Sequence, residues 1–171
     1  MPWRNYNKAN RGQELEDMIN RTNERYDFLK EANIQKIPTP VKVLDLNQKT
    51  GKIRSGFYEA KSTVDYKGTA AGKSISFEAK QTNVETRFDL SNISDHQYDD
   101  LEKTDQQNGV AFVIVRFTKL DENYYLPFEE LKHWIFDKER KSIPYDAFEH
   151  RIRPDGLKEI DYLSTMKELE G

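Results

Sequence analysis

Asp65 and the triplet Glu78-Ala79-Lys80, thirteen positions further on, are the residues of this sequence best suited to chemistry on a phosphodiester. Two carboxylates brought together can hold a hard divalent cation, which binds a phosphate oxygen, acidifies water and neutralises charge developing in the transition state. Without a cation the same carboxylates repel, and one tends to keep its proton. In an extended strand alternate residues share a face, so Lys80 lies beside Glu78, placed to orient an attacking water or stabilise a pentacovalent phosphate. The chemistry served is phosphodiester hydrolysis. An acidic residue upstream of Glu-X-Lys is equally the pattern of an ordinary solvated strand face, and the spacing alone leaves both readings open.

The elements that must position these residues can be read outward from them. In SISFEAK, Ile75, Phe77 and Ala79 alternate with Ser74, Ser76, Glu78 and Lys80, which predicts a strand with one apolar and one polar face. It follows STVDY and the run KGTAAGK, expected to be flexible. Upstream, residues 11–31 carry Leu15, Met18, Ile19, Tyr26 and Leu29 at helical spacing, with Asn33 able to end the helix and Pro38 and Pro40 forcing an extended entry into VKVLDLN. Residues 41–61 then read as a projecting basic hairpin turning at QKTGK and carrying Lys42, Lys49, Lys52, Arg54 and Lys61. Phe57 and Tyr58, beside Arg54 and Lys61, suit stacking on exposed bases while the cations hold phosphates, or else core and dimer contacts. Arg11 either touches DNA or supports the helix start. Downstream, a helix at 94–107 opens on Ser94 with Gln97 three residues on, the pattern of a capping box, and VAFVIVRF reads as a buried central strand. NYYLP is a further strand, a short helix follows Pro127, and RPDG turns the chain into a last helix with Leu163, Met166 and Leu169.

Composition bounds the function. The 171 residues suffice for one nuclease-sized domain spanning 1–171, and a 36% hydrophobic share supports an ordered core. There is no cysteine, which excludes disulfides, thiolate zinc sites and thiol nucleophiles and leaves oxygen donors. Those donors favour magnesium, with manganese as a substitute. No stretch matches a membrane span or a secretory leader, so a cytoplasmic location with no membrane partner is expected. The net charge of −3 hides a gradient: residues 41–80 hold eight Lys/Arg against four Asp/Glu, while 120–171 hold eight against thirteen. A local basic surface on an acidic protein keeps DNA binding open, as does the plainer reading of two differently solvated faces.

NRGQELEDMINRTN at 10–23, KIPTP at 36–40, STVDY at 62–66, SFEAK at 76–80 and SDHQ at 94–97, in this order and spacing, resemble the RecU family of Holliday-junction resolvases. The resemblance runs from about Asn10 to the IDYL at 160–163. It implies an α/β, restriction-endonuclease-like fold of the PD-(D/E)XK type, a mixed β-sheet flanked by helices with a protruding hairpin stalk. It also implies a homodimer that cleaves four-way junction DNA with magnesium, and leaves room for a recombinase as a further partner. By resemblance the metal-site residues are Thr63, Asp65, Glu78 and Gln97, and the catalytic lysine is Lys80. Val64 replaces the superfamily's proline but offers no ligand in either case. Many relatives carry a longer basic N-terminal extension, so junction affinity and partner contacts are expected to differ here. His96, next to Gln97, is assigned a supporting or surface role, His133 and His150 are assigned structural roles, and Glu16 either approaches such a metal or simply suits the first turn of its helix. Gln97 can both cap its helix and serve the metal site. The rival functions are a nuclease of the same fold acting on another DNA structure, and a non-catalytic junction-binding regulator of recombination.

Overall fold

The computed structural model describes residues 12–58 and 63–171. Helix α1 (Gln13–Phe28) buries Leu15, Ile19 and Tyr26 along one stripe and carries Glu14 and Glu16 in its first turn, where the positive helix end favours acid. It ends before the expected residue 31: Lys30 takes a left-handed φ of 59°, and Asn33 lies inside strand β1 (Ala32–Lys36) instead of closing the helix. Strands β2 (Val41–Leu46) and β3 (Ile53–Tyr58) pair antiparallel as a hairpin separate from the main sheet, exposed at every position. Asn47 shapes its turn by accepting the Lys49 backbone N–H at 3.0 Å.

Strands β4 (Tyr66–Ala70) and β5 (Lys73–Thr82) form a hairpin that carries the candidate residues Glu78 and Lys80, with Asp65 just before it. KGTAAGK is therefore ordered, contrary to expectation: Lys67 to Ala70 lie within β4, and Ala71 and Gly72, with φ of 50° and 79°, make a two-residue turn whose twist matches the strands. Gly68 is dictated by packing, because a Cβ there would lie 2.0 Å from the Asn33 carbonyl oxygen on β1. Gly68→Ala is expected to cost about 1–3 kcal/mol, seen as a lower denaturation midpoint; an unchanged midpoint would mean that β1 and β4 approach less closely than this.

The chain continues through β6 (Arg87–Asp89), α2 (Asp95–Gln106), β7 (Val110–Phe117), β8 (Glu122–Pro127) and α3 (Phe128–Phe136). Strand β9 (Ser142–Pro144) pairs with β6, and β10 (Arg151–Ile152) and α4 (Tyr162–Glu170) complete it. The main sheet has the order β1-β4-β5-β7-β8-β10, with β5 and β7 parallel and every other pair antiparallel. The parallel pair requires a crossover, supplied by α2. Residues of α1 and α4 pack on one face around Phe77, Phe112 and Tyr125, and α2 and α3 cover the other through Leu101, Phe128 and Leu131 against Val113 and Val115. This is the α/β mixed sheet flanked by helices expected of a restriction-endonuclease-like chain. Across the first face Tyr66, Phe77, Phe112 and Tyr125, one ring from each of four adjacent strands, stack in a row with successive centroids 4.8, 4.7 and 4.2 Å apart. Tyr66 and Phe77 are the sequence neighbours of Asp65 and Glu78, so the row fixes the two strands next to the carboxylates. Among the described residues no helix is long and apolar enough to cross a membrane.

Candidate active site

The backbone register of β4 on β5 begins at Tyr66 opposite Phe77. One residue outward, side chains take over from the ladder: the Glu78 Oε2 accepts the Asp65 N–H at 3.1 Å, and the Asp65 Oδ2 accepts the Ala79 N–H at 3.1 Å. Each carboxylate thus holds the backbone of the strand opposite, which satisfies donors left by the diverging chains and points both acids into one place. The Asp65 carbonyl accepts the Ile37 N–H at 2.7 Å, tying the segment after β1 to the same point.

Glu78 is 1% exposed. Its Oε1 accepts from Gln97 Nε2 at 2.5 Å and from Lys80 Nζ at 3.0 Å. Burial pushes the Glu78 pKa up to about 8, Asp65 adds repulsion, and Lys80 offsets only part of the rise. A buried acid beside a second carboxylate is stabilised in its charged form by a neighbouring cation, and the Lys80 ammonium supplies part of that charge. Among the described residues no group of three or more His, Cys, Asp or Glu is gathered to hold a metal. Two carboxylates with neutral oxygen donors, water and a substrate phosphate fit magnesium, which keeps several waters and takes few protein acids.

Helix α2 roofs this face of β5. Ser94 and Gln97 form the capping box read from the sequence: Ser94 N–H donates to Gln97 Oε1 at 3.0 Å and Gln97 N–H to Ser94 Oγ at 3.4 Å. Gln97 therefore caps with its oxygen and grips Glu78 with its nitrogen. Asp100 accepts the Val64 N–H at 3.3 Å, and Thr104 Oγ1 donates to Ser76 Oγ at 2.8 Å. The middle of the expected polar face of β5 is consequently not solvated: Ser76 and Glu78 are buried beneath the polar stripe Gln97, Asp100 and Thr104, while Ser74 at its start is exposed. Asp100 and Thr104 were legible only as polar residues sharing a helical face with the apolar Leu101, a sign that the buried face has polar partners. Gln97→Ala is expected to weaken metal binding about 10- to 100-fold, as removal of groups that orient a ligand does. Manganese titration of the metal-free protein checks it, and unchanged affinity would remove Gln97 from the site.

The remaining expected residues are placed unevenly. Thr63 is exposed, and its hydroxyl donates to the Val64 carbonyl at 3.5 Å, with neither carboxylate among its described partners. Glu16 pairs with Lys36, and its backbone carbonyl accepts from the Tyr66 hydroxyl at 3.4 Å. His96 is exposed. His133 is exposed too, on α3 with an edge-on contact to Trp134, so no buried structural role exists for it. His150 Nε2 lies 2.7 Å from Glu130 Oε1. On the hairpin, Arg54 lies 3.9 Å from Asp45 with both largely exposed, a pairing of little energy. Phe57 and Tyr58 are 50% and 73% exposed, which rules out core packing among the described residues. Strand alternation puts them on opposite faces, with Phe57 directly across from Lys42. Arg11 and Lys61 lie outside the described residues.

The family profile described as RecU, Recombination protein U, matches residues 10–168. The Holliday junction resolvase RecU of Oceanobacillus iheyensis is 38% identical over 170 residues, covering 94% of this chain and 87% of its own length. That of Bacillus subtilis is 36% identical over 170 residues, covering 94% and 82%. Among solved structures, Hjc of Archaeoglobus fulgidus, a Holliday junction resolvase, aligns with a TM-score of 0.43 at 10% identity, covering 74% of this chain and 88% of that one. A match of this extent to the family profile, at this identity to its members, places the chain in the RecU family.

Proposed function

We propose that this chain is a magnesium-dependent endonuclease that resolves four-way DNA junctions, acting as a homodimer. The observation that carries the catalytic half is the reciprocal clamp that brings Asp65 and Glu78 together with Lys80 beside them. Membership of a family whose relatives are named junction resolvases supports the substrate. Asp65 and Glu78 hold the ion, Thr63 and Gln97 complete or support its shell, and manganese substitutes for magnesium. When bound, the cation supplies a Lewis acid for the scissile phosphate and an acidified water. Lys80 donates toward the phosphate or the water from the same strand face, while Gln97 and the Asp65 N–H keep Glu78 oriented. The roof of α2 over Glu78 keeps bulk water from competing for its oxygens. Two such subunits related by two-fold symmetry match a four-way junction and nick a symmetric pair of strands. A recombinase is a further partner of this reading, and the cytoplasm its location.

Cleavage of a four-way junction in magnesium, set beside linear duplex and flap substrates, tests the proposal. Preference for the junction is expected, and equal rates on all three would leave a nuclease but no resolvase. The hairpin is the part that reads the junction: between positions 41 and 58 it holds four Lys/Arg, Lys42, Lys49, Lys52 and Arg54, against Asp45 alone. Phe57→Ala with Tyr58→Ala is expected to weaken junction binding by about 1–3 kcal/mol for each stacked base while sparing duplex binding. Equal losses on both DNAs, measured by fluorescence anisotropy, would remove the hairpin from junction reading.

A further inference from the structure

The loop that delivers Asp65 has an anchor outside the metal site. Val64 is fully buried and lies before the first backbone pair of β4, so the sheet ladder does not fix it. Its N–H donates instead to Asp100 Oδ2 at 3.3 Å. The same carboxylate holds the Lys67 ammonium, with Nζ 2.9 Å from Oδ1 and 2.8 Å from Oδ2. One side chain on α2 thereby grips the chain immediately before Asp65 and two residues after it. The helix turn that carries Asp100 is itself tied to the sheet, because Thr104, one turn further on, donates its hydroxyl proton to Ser76 on β5 at 2.8 Å. Its side chain is 15% exposed against 37% for Lys67, so the carboxylate is the sheltered member and the lysine its solvated partner. A hydrogen bond to an ionised acceptor under such cover is among the stronger kinds.

We infer that Asp100 is a positioning residue of the nuclease site: through the Val64 N–H it sets where the Asp65 carboxylate stands, and so how tightly the metal is held. The inference rests on Asp65 being a metal ligand. Lys67 screens the charge of Asp100 and contributes little to the positioning, because a half-solvated ion pair is worth little and the backbone bond needs only an acceptor. Alanine removes that acceptor. Asparagine keeps it, with its amide oxygen on Val64 and Lys67 released to water.

The experiment is titration of the metal-free, full-length protein with manganese, alongside hydrogen exchange of the Val64 amide. Asp100→Ala should bind manganese about tenfold more weakly, a loss of the size seen when groups orienting a ligand are removed, and its Val64 amide should exchange at least tenfold faster. Asp100→Asn and Lys67→Met should each stay within about twofold of the unmodified chain in affinity. Should Asp100→Ala not fold, Asp100→Ser, whose hydroxyl is too short to reach Val64, takes its place with the same expectations. A folded Asp100→Ala with unchanged affinity overturns the inference, as does an Asp100→Asn that loses as much as alanine. If Asp65→Ala also binds manganese like the unmodified chain, the fault lies instead with the metal site.

Discussion

Glu78→Gln should abolish junction cleavage and, at the same time, make the metal-free protein more stable at pH 8. Glu78 keeps its proton in the fold up to about pH 8, whereas its ordinary value is 4.5. Between those pH values the folded state binds more protons than the unfolded one, so the stability of the metal-free protein falls as pH rises from near 4.5 through 8. The cost is that of an ionised carboxylate held out of water beside Asp65, on the order of a few kcal/mol once fully ionised. Glutamine imitates most of the protonated acid: its oxygen can accept from Gln97 and Lys80 and its amide nitrogen can donate to the Asp65 carboxylate. The bond that Oε2 takes from the Asp65 N–H is lost at about 1 kcal/mol, less than the ionisation cost removed at pH 8. The variant should therefore melt several degrees higher than the unmodified chain at pH 8, and the gap should close as pH falls toward 4.5. Saturating magnesium should also close it, since the cation stabilises only the unmodified chain. Metal-free Glu78→Gln melting no higher at pH 8 would show that burial does not penalise this carboxylate.

Asp65→Ala should lower the cleavage rate by about 10³-fold or more, the scale of losing a principal source of transition-state charge stabilisation. The fold should survive, because the lost partner is one backbone N–H, that of Ala79, and one such bond contributes about 1 kcal/mol. Junction binding in chelator should change by no more than about twofold to threefold, since loss of an acidic side chain removes no contact to phosphate. The pair of measurements separates chemistry from recognition. A variant that cut at the unmodified rate would take Asp65 out of the metal site altogether.

Much of this was legible in the sequence because it rests on short-range rules. The period of two along β5 put Glu78 and Lys80 on one face, and the 3.0 Å contact between them follows from that spacing. Ser94 and Gln97 announced the start of α2, and the nearly continuous apolar run of β7 announced a buried central strand. Short-range rules also misled. KGTAAGK looks like a flexible linker by composition, yet its glycines serve a tight turn at Gly72 between β4 and β5 and a close backbone approach at Gly68, the second visible only with the neighbouring β1 in place. Asn33 has the chemistry of a helix end and sits in a strand, because Lys30 had already taken the left-handed turn.

The residue types at 65, 78 and 80, and the alternation that aligns the last two, by themselves offered phosphodiester chemistry and left the solvated strand face open beside it. Tertiary structure decided that Asp65 meets Glu78 at all: the β4–β5 hairpin brings them together just outside its ladder, where each carboxylate takes the other strand's free N–H. It also decided that Glu78 is buried, since whether a polar strand face meets water or a helix depends on the crossover between β5 and β7 and not on the strand's own pattern. Periodicity is encoded residue by residue along the chain. What covers a face, and therefore how much a charge on it costs, is a property of the packed whole.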